Sequence, residues 1–120
     1  MATAAEGQVE TERRRLLEAE LGRWVEVLRA AYRPQRIILF GSLAHGRVHE
    51  WSDVDLVVIK QTPLPFLERI REVWDLIQPR AGLDLLVYTP EEFEQLCRER
   101  LFFQREILPG SRTLYEAGHE

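Results

Sequence analysis

The stretch from Phe40 to Leu56, FGSLAHGRVHEWSDVDL, decides the fold because an apolar segment lies on each side of it. Residues 36–40 (RIILF) and 54–59 (VDLVVI) are short, apolar and rich in β-branched side chains, which predicts two buried strands. A glycine-serine pair breaks the first strand, and residues 42–46 are expected to form one short helical turn. The loop that follows returns the chain to the second strand, where two aspartates stand.

Three aspartates are predicted to lie at one end of the sheet. Asp53 and Asp55 share a face of the second strand, because side chains alternate across a strand. Asp84 is the second residue of a predicted third strand, 83–88 (LDLLVY), as Asp55 is of its own. A helix of crossover length separates these strands, so we expect them to be parallel, with their carboxylates at the same end.

Clustered carboxylates repel one another and require a cation, and their oxygen atoms suit Mg²⁺ or Mn²⁺, which also bind phosphate oxygens. If the first two strands are antiparallel, Gly41 and Ser42 lie at the same edge. Gly41 lets the backbone approach a phosphate closely, and the Ser42 hydroxyl can bond its oxygens. These residue types suit attack on the α-phosphate of a nucleotide, with pyrophosphate leaving and two metal ions stabilising the attacking and leaving oxygens.

The spacing GS-xxx-G-xxxxx-SD-x-D-L resembles the signature of the DNA polymerase β-like nucleotidyltransferase superfamily. It is formed here by Gly41, Ser42, Gly46, Ser52, Asp53, Asp55 and Leu56. Asp84, within GLDLLVY, matches the third acid of that superfamily. The short chain and its terminal ILPGSRTLYE resemble the minimal nucleotidyltransferases (MNT family), which are often antitoxin partners of HEPN-domain proteins. The resemblance extends from about Thr11 to Glu116.

The resemblance implies a role for each matched residue. Metal ligation by Asp53 and Asp55 is implied, with Asp84 helping to hold the catalytic metal and to activate the nucleophile. Mg²⁺ or Mn²⁺ is the implied cofactor, ATP the implied substrate and a HEPN-domain protein the implied partner. The nucleotide-binding residues implied are Gly41, Ser42, Gly46 and Ser52. Many family members place an arginine after the Gly-Ser pair, whereas this chain has Leu43, and Arg47 is a candidate substitute.

The remaining segments predict a small α/β (α+β) domain with a mixed sheet of at least three strands and helices mainly on one face, and the resemblance implies that this is the nucleotidyltransferase fold. We divide the chain into a flexible N-terminus (residues 1–10) and a single nucleotidyltransferase domain (residues 11–116). The first helix is expected to begin near Thr11 and to end at Pro34, where proline disfavours helical geometry in the preceding residue. Further helices are expected from Pro65, ended by Pro79 and Gly82, from Pro90, and around residues 99–108, with a short strand at 112–115.

The composition is that of one ordinary globular domain. The chain has 120 residues, 45% of them hydrophobic, and a formal net charge of −4, which argues against long nucleic acid as the main partner. No apolar run approaches the about 20 residues needed to cross a bilayer, and residues 1–10 lack a signal-peptide pattern. Cys97 is the single cysteine, so we expect no intramolecular disulfide and a cytoplasmic location. Homo-oligomerisation is left open.

Several residues around the motif also have simpler interpretations. Ser52 is equally consistent with a loop cap, and Trp51 with a core or interface position rather than stacking on a base. His45 and His49 suit solvated loop positions, since no metal-ligand spacing accompanies them. Trp24 and Trp74 lie on helical apolar stripes and are expected in the core. A solvated helix face is the expectation for the charged residues Arg13, Arg14, Glu18 and Glu20.

Three functions fit this sequence. The leading hypothesis is transfer of AMP from ATP to an acceptor hydroxyl on a partner protein, within a HEPN/MNT toxin–antitoxin pair. The second is a binding module that neutralises a partner by contact alone, against which the three retained acids argue. The third is a small-molecule nucleotidyltransferase, for example one acting on an aminoglycoside, although no acceptor-binding domain is visible in the chain.

Overall fold

A computed structural model of the chain describes residues 4–118. It alternates helices and strands around one sheet, in the chain order α1 (Ala4–Val27), β1 (Arg36–Phe40), α2 (Gly41–Ala44), β2 (Val54–Ile59), α3 (Phe66–Ile77), β3 (Leu83–Tyr88), α4 (Pro90–Glu99) and β4 (Arg112–Glu116). Two π-helical segments, Leu28–Tyr32 and Phe103–Ile107, follow α1 and α4. No helix in the described range is long and apolar enough to span a membrane.

The four strands form a mixed sheet in the order β3-β2-β1-β4. Strand β1 is antiparallel to both of its neighbours, whereas β2 and β3 are parallel. The predicted fold class, strand positions and relative strand directions are therefore confirmed. Asp55 pairs in register with Asp84 on one side and with Phe40 on the other, which places the end of β1 beside the starts of β2 and β3.

Helix α1 begins earlier than the sequence pattern predicted. It starts at Ala4 rather than near Thr11, so the segment that we assigned to a flexible terminus is helical from Ala4 onward, and residues 1–3 lie outside the described range. Its π-helical continuation ends as predicted before Pro34. There Arg33 takes a left-handed conformation (φ 56°) and its N–H bonds the Leu28 carbonyl at 2.8 Å.

Alternation along the strands divides the buried residues between two sheet faces. The first face carries the larger core, in which Leu17, Trp24 and Leu28 of the first helical segments pack with α3 and with alternate strand residues. The second face carries Ile38, Val57 and Ile59, covered by Phe93 of α4 and by Phe103 and Ile107. The longest helices thus lie on one face, while α4 and the second π-helical segment cover part of the other. Asp55 and Asp84 alternate onto this second face.

Two of the three tryptophans are more exposed than we expected. Trp24 is fully buried, as predicted, but Trp74 is 43% exposed and Trp51 is 79% exposed. The core position expected for Trp74 is therefore wrong, and of the two positions expected for Trp51, core or interface, the core is excluded. Residues Val73 and Ile77 of α3 take the core positions, and Trp74 lies at the edge of the apolar stripe, where the helix turns toward solvent.

Candidate active site

The three aspartates lie together at one end of the sheet, but they are bonded differently. Asp55 and Asp84 lie in register near the starts of adjacent parallel strands, and their carboxyl groups interact with each other. Asp53 lies one residue before β2, and its Oδ1 is 3.4 Å from Nη2 of Arg13. The structure thus brings Asp55 and Asp84 together and pairs Asp53 with an arginine from α1.

Gly41 is required at its position because it lies directly against Asp55. Its φ is +74°, a conformation that side chains other than glycine rarely adopt. A Cβ atom placed there would lie 2.1 Å from Oδ2 of Asp55, far inside van der Waals contact. We predicted that Gly41 admits a phosphate; the structure shows that it also makes room for the Asp55 carboxylate.

Gly82 has the same relation to Asp53, and the sequence analysis missed it. A Cβ at Gly82 would lie 1.9 Å from Oδ1 and 2.4 Å from Cγ of Asp53. The Gly82 carbonyl also accepts a hydrogen bond from the N–H of Val54 at 3.0 Å. We interpreted Gly82 only as the end of the preceding helix, although its place just before a strand in GLDLLVY signalled a close approach of backbone.

The electrostatics of Asp55 follow from its surroundings. Burial, then the hydrogen-bonding and charge interactions with Asp84, and last the charge of Asp53 together raise the pKa of Asp55 to about 7. Among the described residues, no lysine, arginine or histidine forms an ion pair with Asp55 or Asp84. The pair therefore holds negative charge that its neighbours do not balance.

The loop before Asp53 is fixed from within and from α1. Ser52 is only 3% exposed, its Oγ accepts from the N–H of His49 at 2.9 Å, and its own N–H donates to the His49 carbonyl at 3.0 Å. Ser52 therefore acts as the loop cap that was one of its two interpretations. Arg13 donates to the Ser52 carbonyl, and Arg14 to the Gly46 carbonyl, so the solvated positions predicted for these arginines are wrong.

The glycine-serine turn forms the opposite wall of the site. The predicted helical turn is present as α2, whose first carbonyl, from Gly41, accepts from the N–H of His45 at 3.1 Å. Gly46 has φ +73°, and no described atom lies within 4 Å of where its Cβ would be. Ser42 is partly exposed, while Arg47, His45 and His49 are exposed. Nucleotide contacts by Gly41, Ser42, Gly46 and Ser52 remain predictions.

The aspartates of this site suit a divalent cation, although they do not form a complete set of metal ligands. Within residues 4–118, no group of three or more His, Cys, Asp or Glu side chains is arranged to hold a metal ion. Asp55 and Asp84 nevertheless supply adjacent hard oxygen donors whose charges are unbalanced, and Asp53 lies one residue before the same strand as Asp55. A divalent cation would balance the charge that burial and the neighbouring acids make costly at Asp55, so these residues fit Mg²⁺ or Mn²⁺.

Known proteins similar to this chain point in one direction. A family model of the nucleotidyltransferase domain matches residues 21–113. Over 64 residues the chain is 34% identical to MntA of Haemophilus influenzae, which is named as a candidate protein adenylyltransferase. That alignment covers 50% of this chain and 56% of MntA, so the match extends over little more than half of that relative.

Two solved structures share the fold. A candidate nucleotidyltransferase from Sulfolobus solfataricus has a TM-score of 0.58 at 14% identity, covering 97% of this chain and 91% of the other. A toxin–antitoxin structure with AMP-PNP has a TM-score of 0.51 at 20% identity, covering 81% of this chain and 73% of the other. At these identities the likeness shows the fold alone. With the family model, it confirms the resemblance that the signature from Gly41 to Leu56 carries.

Proposed function

Since the chain belongs to the nucleotidyltransferase domain family, we propose that it transfers AMP from ATP to a hydroxyl group of a partner protein. The observation that carries the proposal is the pair of Asp55 and Asp84, which lie in register on adjacent parallel strands, with Asp55 directly against Gly41. A carboxylate with a purely structural role at a strand start would be expected to pair with a cationic side chain or with backbone N–H groups. The charge of Asp55 and Asp84 is instead left unbalanced at the end of the sheet, as is typical of a site that binds a cation and phosphates.

In the proposed site, Asp53 and Asp55 hold Mg²⁺ or Mn²⁺, assisted by Asp84. When bound, the cation neutralises the phosphates and stabilises the charge that develops on the attacking and leaving oxygens. Asp53 has an ion pair with Arg13 at 3.4 Å, a length at which the carboxylate is only loosely held and free to take a cation. Because Gly41 and Gly82 have no side chain, the carboxylates of Asp55 and Asp53, respectively, can lie against the backbone at these positions.

Asp84 is the proposed group for activating the acceptor. It is exposed, whereas Asp55 beside it is partly buried, so an incoming hydroxyl reaches Asp84 first. There its carboxylate orients the hydroxyl and accepts its proton as the oxygen attacks the α-phosphate of ATP. The bond from that phosphorus to the bridging oxygen of pyrophosphate breaks as the new bond forms. In this proposal the Ser42 hydroxyl and backbone N–H groups of α2 donate hydrogen bonds to phosphate oxygens.

The proposed acceptor is a HEPN-domain protein, in a toxin–antitoxin pair. MntA, to which the chain is 34% identical over 64 residues, is named for protein adenylylation, and one structure of the same fold is described as a toxin–antitoxin with AMP-PNP. Trp51, 79% exposed and two residues before Asp53, offers an apolar contact for a partner at the rim of the site. The nucleotide, the partner and a cytoplasmic setting are all parts of this proposal.

The experiment is incubation with labelled ATP, Mg²⁺ and the product of the adjacent reading frame, followed by intact-mass measurement of both proteins. We expect one or more adenylyl groups on the partner, and none when Asp53→Asn/Asp55→Asn replaces the wild type. A stable complex of unmodified proteins would favour neutralisation by contact and contradict transfer. Two proteins that neither associate nor gain mass would contradict the partner as well.

A further inference from the structure

The N-terminal half of α1 is fastened to the loop that leads into Asp53. Arg13 directs two donors, Nε and Nη2, at the Ser52 carbonyl, at 2.9 and 2.7 Å. At the start of the same loop, Nη2 of Arg14 donates a hydrogen bond to the Gly46 carbonyl at 2.9 Å. Two consecutive arginines on one helix thus hold the first and the last part of the loop 46–53.

The distances show which contact of Arg13 matters most. Its two bonds to the Ser52 carbonyl are of normal length for charged donors, whereas its contact with Oδ1 of Asp53 is 3.4 Å. The Asp53 side chain is also nearly half exposed, so solvent screens this ion pair. Arg13 therefore acts mainly by fixing the backbone of Ser52, and only secondarily as a counter-ion of Asp53.

Fixing Ser52 also fixes Asp53, because the two are consecutive. On the side before Asp53, the Ser52 carbonyl is bonded by Arg13, and the Ser52 hydroxyl and N–H are bonded to His49. On the side after it, the N–H of Val54 bonds the Gly82 carbonyl at 3.0 Å. The backbone of Asp53 is thereby held on both sides, while its carboxylate stays partly open to solvent.

We propose that Arg13 and Arg14 are positioning residues that clamp the loop 46–53 to α1 and hold Asp53 in place for the cation. The proposal rests on the proposed function in assigning a cation to Asp53, but the clamp itself is a property of the loop. An arginine that served only as a counter-ion would compete with a divalent cation. The two roles therefore have opposite consequences for metal affinity when the arginine is removed.

The test compares Arg13→Gln and Arg14→Gln with Arg15→Gln, an exposed arginine of the same helix that serves as a matched control. Hydrogen–deuterium exchange of the segment 46–54 is measured on the full chain without metal. We expect faster exchange at the amides of His49 and Ser52 in Arg13→Gln, and wild-type exchange in the control. Unchanged exchange in Arg13→Gln would overturn the clamp, whatever the metal affinity.

Calorimetry with Mn²⁺ and a non-hydrolysable ATP analogue provides the second readout. We expect Arg13→Gln to weaken Mn²⁺ binding about tenfold, the lower end of what losing a residue behind a metal ligand costs. We expect Arg13→Lys to bind Mn²⁺ as weakly as Arg13→Gln, because an ammonium cannot place two donors on one carbonyl as a guanidinium does. Unchanged or tighter binding in Arg13→Gln would overturn the positioning role. Equal binding by wild type and Asp53→Asn would instead refute the proposed cation site, leaving the exchange result to decide the clamp.

Discussion

Two acidic side chains in this domain, Glu20 and Asp55, have opposite surroundings. Glu20 is 6% exposed and accepts hydrogen bonds from Arg23 at 2.8 and 3.0 Å and from the backbone N–H of Arg80 at 2.7 Å. The bonds from Arg23 are the main cause that lowers the pKa of Glu20 to about 2. Asp55 is partly buried beside Asp84, and burial is the main cause that raises its pKa to about 7.

The difference separates an acid that holds the fold from one that we propose to bind a ligand. Glu20 joins α1 to the loop before β3, and its charge is fully used inside the protein. Asp55 has a second acid where Glu20 has a guanidinium, so its charged form is costly until something outside the chain balances it.

The largest effect is expected from Asp84→Asn, which removes the exposed member of the pair. The asparagine keeps the size of the side chain but cannot accept the proton of an acceptor hydroxyl. We expect transfer to fall by about 10²–10⁴-fold, while ATP–Mg²⁺ binding stays within about tenfold. Single-turnover transfer to the partner and nucleotide titration measure the two quantities. Wild-type transfer in this variant would reduce Asp84 to a structural acid.

On the fold-holding side, Glu20→Gln should lower the free energy of unfolding by about 2 kcal/mol. An amide oxygen in the place of Oε1 still accepts from Arg80 and from Nη2 of Arg23, but the NH₂ group in the place of Oε2 faces Nε of Arg23 and leaves this donor unbonded. Urea unfolding measures the loss, and Glu18→Gln, an exposed acid on the same helix, is the control with an expected change below about 0.5 kcal/mol. Equal stabilities of the two variants would show that the buried contacts of Glu20 contribute nothing.

Gly82→Ala should disturb the proposed ligand-binding side without unfolding it. The added methyl would meet Oδ1 of Asp53 at 1.9 Å, so the carboxylate must turn away from its present position. We expect about tenfold weaker Mn²⁺ binding. Gly22→Ala is the matched control, because no described atom lies within 4 Å of a Cβ there. Wild-type affinity in Gly82→Ala would mean that the orientation of Asp53 is unimportant.

The smallest effect is a pH dependence with opposite signs at the two acids. Glu20 stabilises the fold fully above the ordinary carboxyl pKa, and this contribution is lost as pH falls toward about 2. Asp55 keeps its proton in the native state where the unfolded chain has lost it, so stability without metal declines as pH rises from about 4 toward about 7. In chelator, wild type should lose about 1–2 kcal/mol relative to Asp55→Asn over that range. A parallel pH profile for both would contradict the raised pKa.

The sheet and the carboxylate pair could be predicted because they depend on local patterns. Apolar runs of five or six residues with a crossover helix between two of them fix the strands, and equal offsets place Asp55 beside Asp84. Glu20 could not be recognised in this way. It lies off the apolar stripe of its helix, and only the return of the chain at Arg80, sixty residues later, buries it.

The same limit applies to Arg13 and Gly82. Periodicity places Arg13 outside the core, and it is indeed only partly buried, but its partner is a carbonyl thirty-nine residues away. Gly82 looks like a helix terminator because glycine serves that role so often. Its contact with Asp53 appears only once β2 and β3 are parallel neighbours. Contacts of single side chains across the fold are thus what the sequence pattern leaves out.

The most direct measurement of the central claim is calorimetric titration of the wild type and Asp53→Asn/Asp55→Asn with Mn²⁺ and a non-hydrolysable ATP analogue. Because these two carboxylates are the proposed ligands of the cation, we expect the wild type to bind Mn²⁺ with the analogue and the double variant to bind them at least about 100-fold more weakly. Circular dichroism of the double variant checks that the fold is intact. Equal affinities for the two folded proteins would contradict the account.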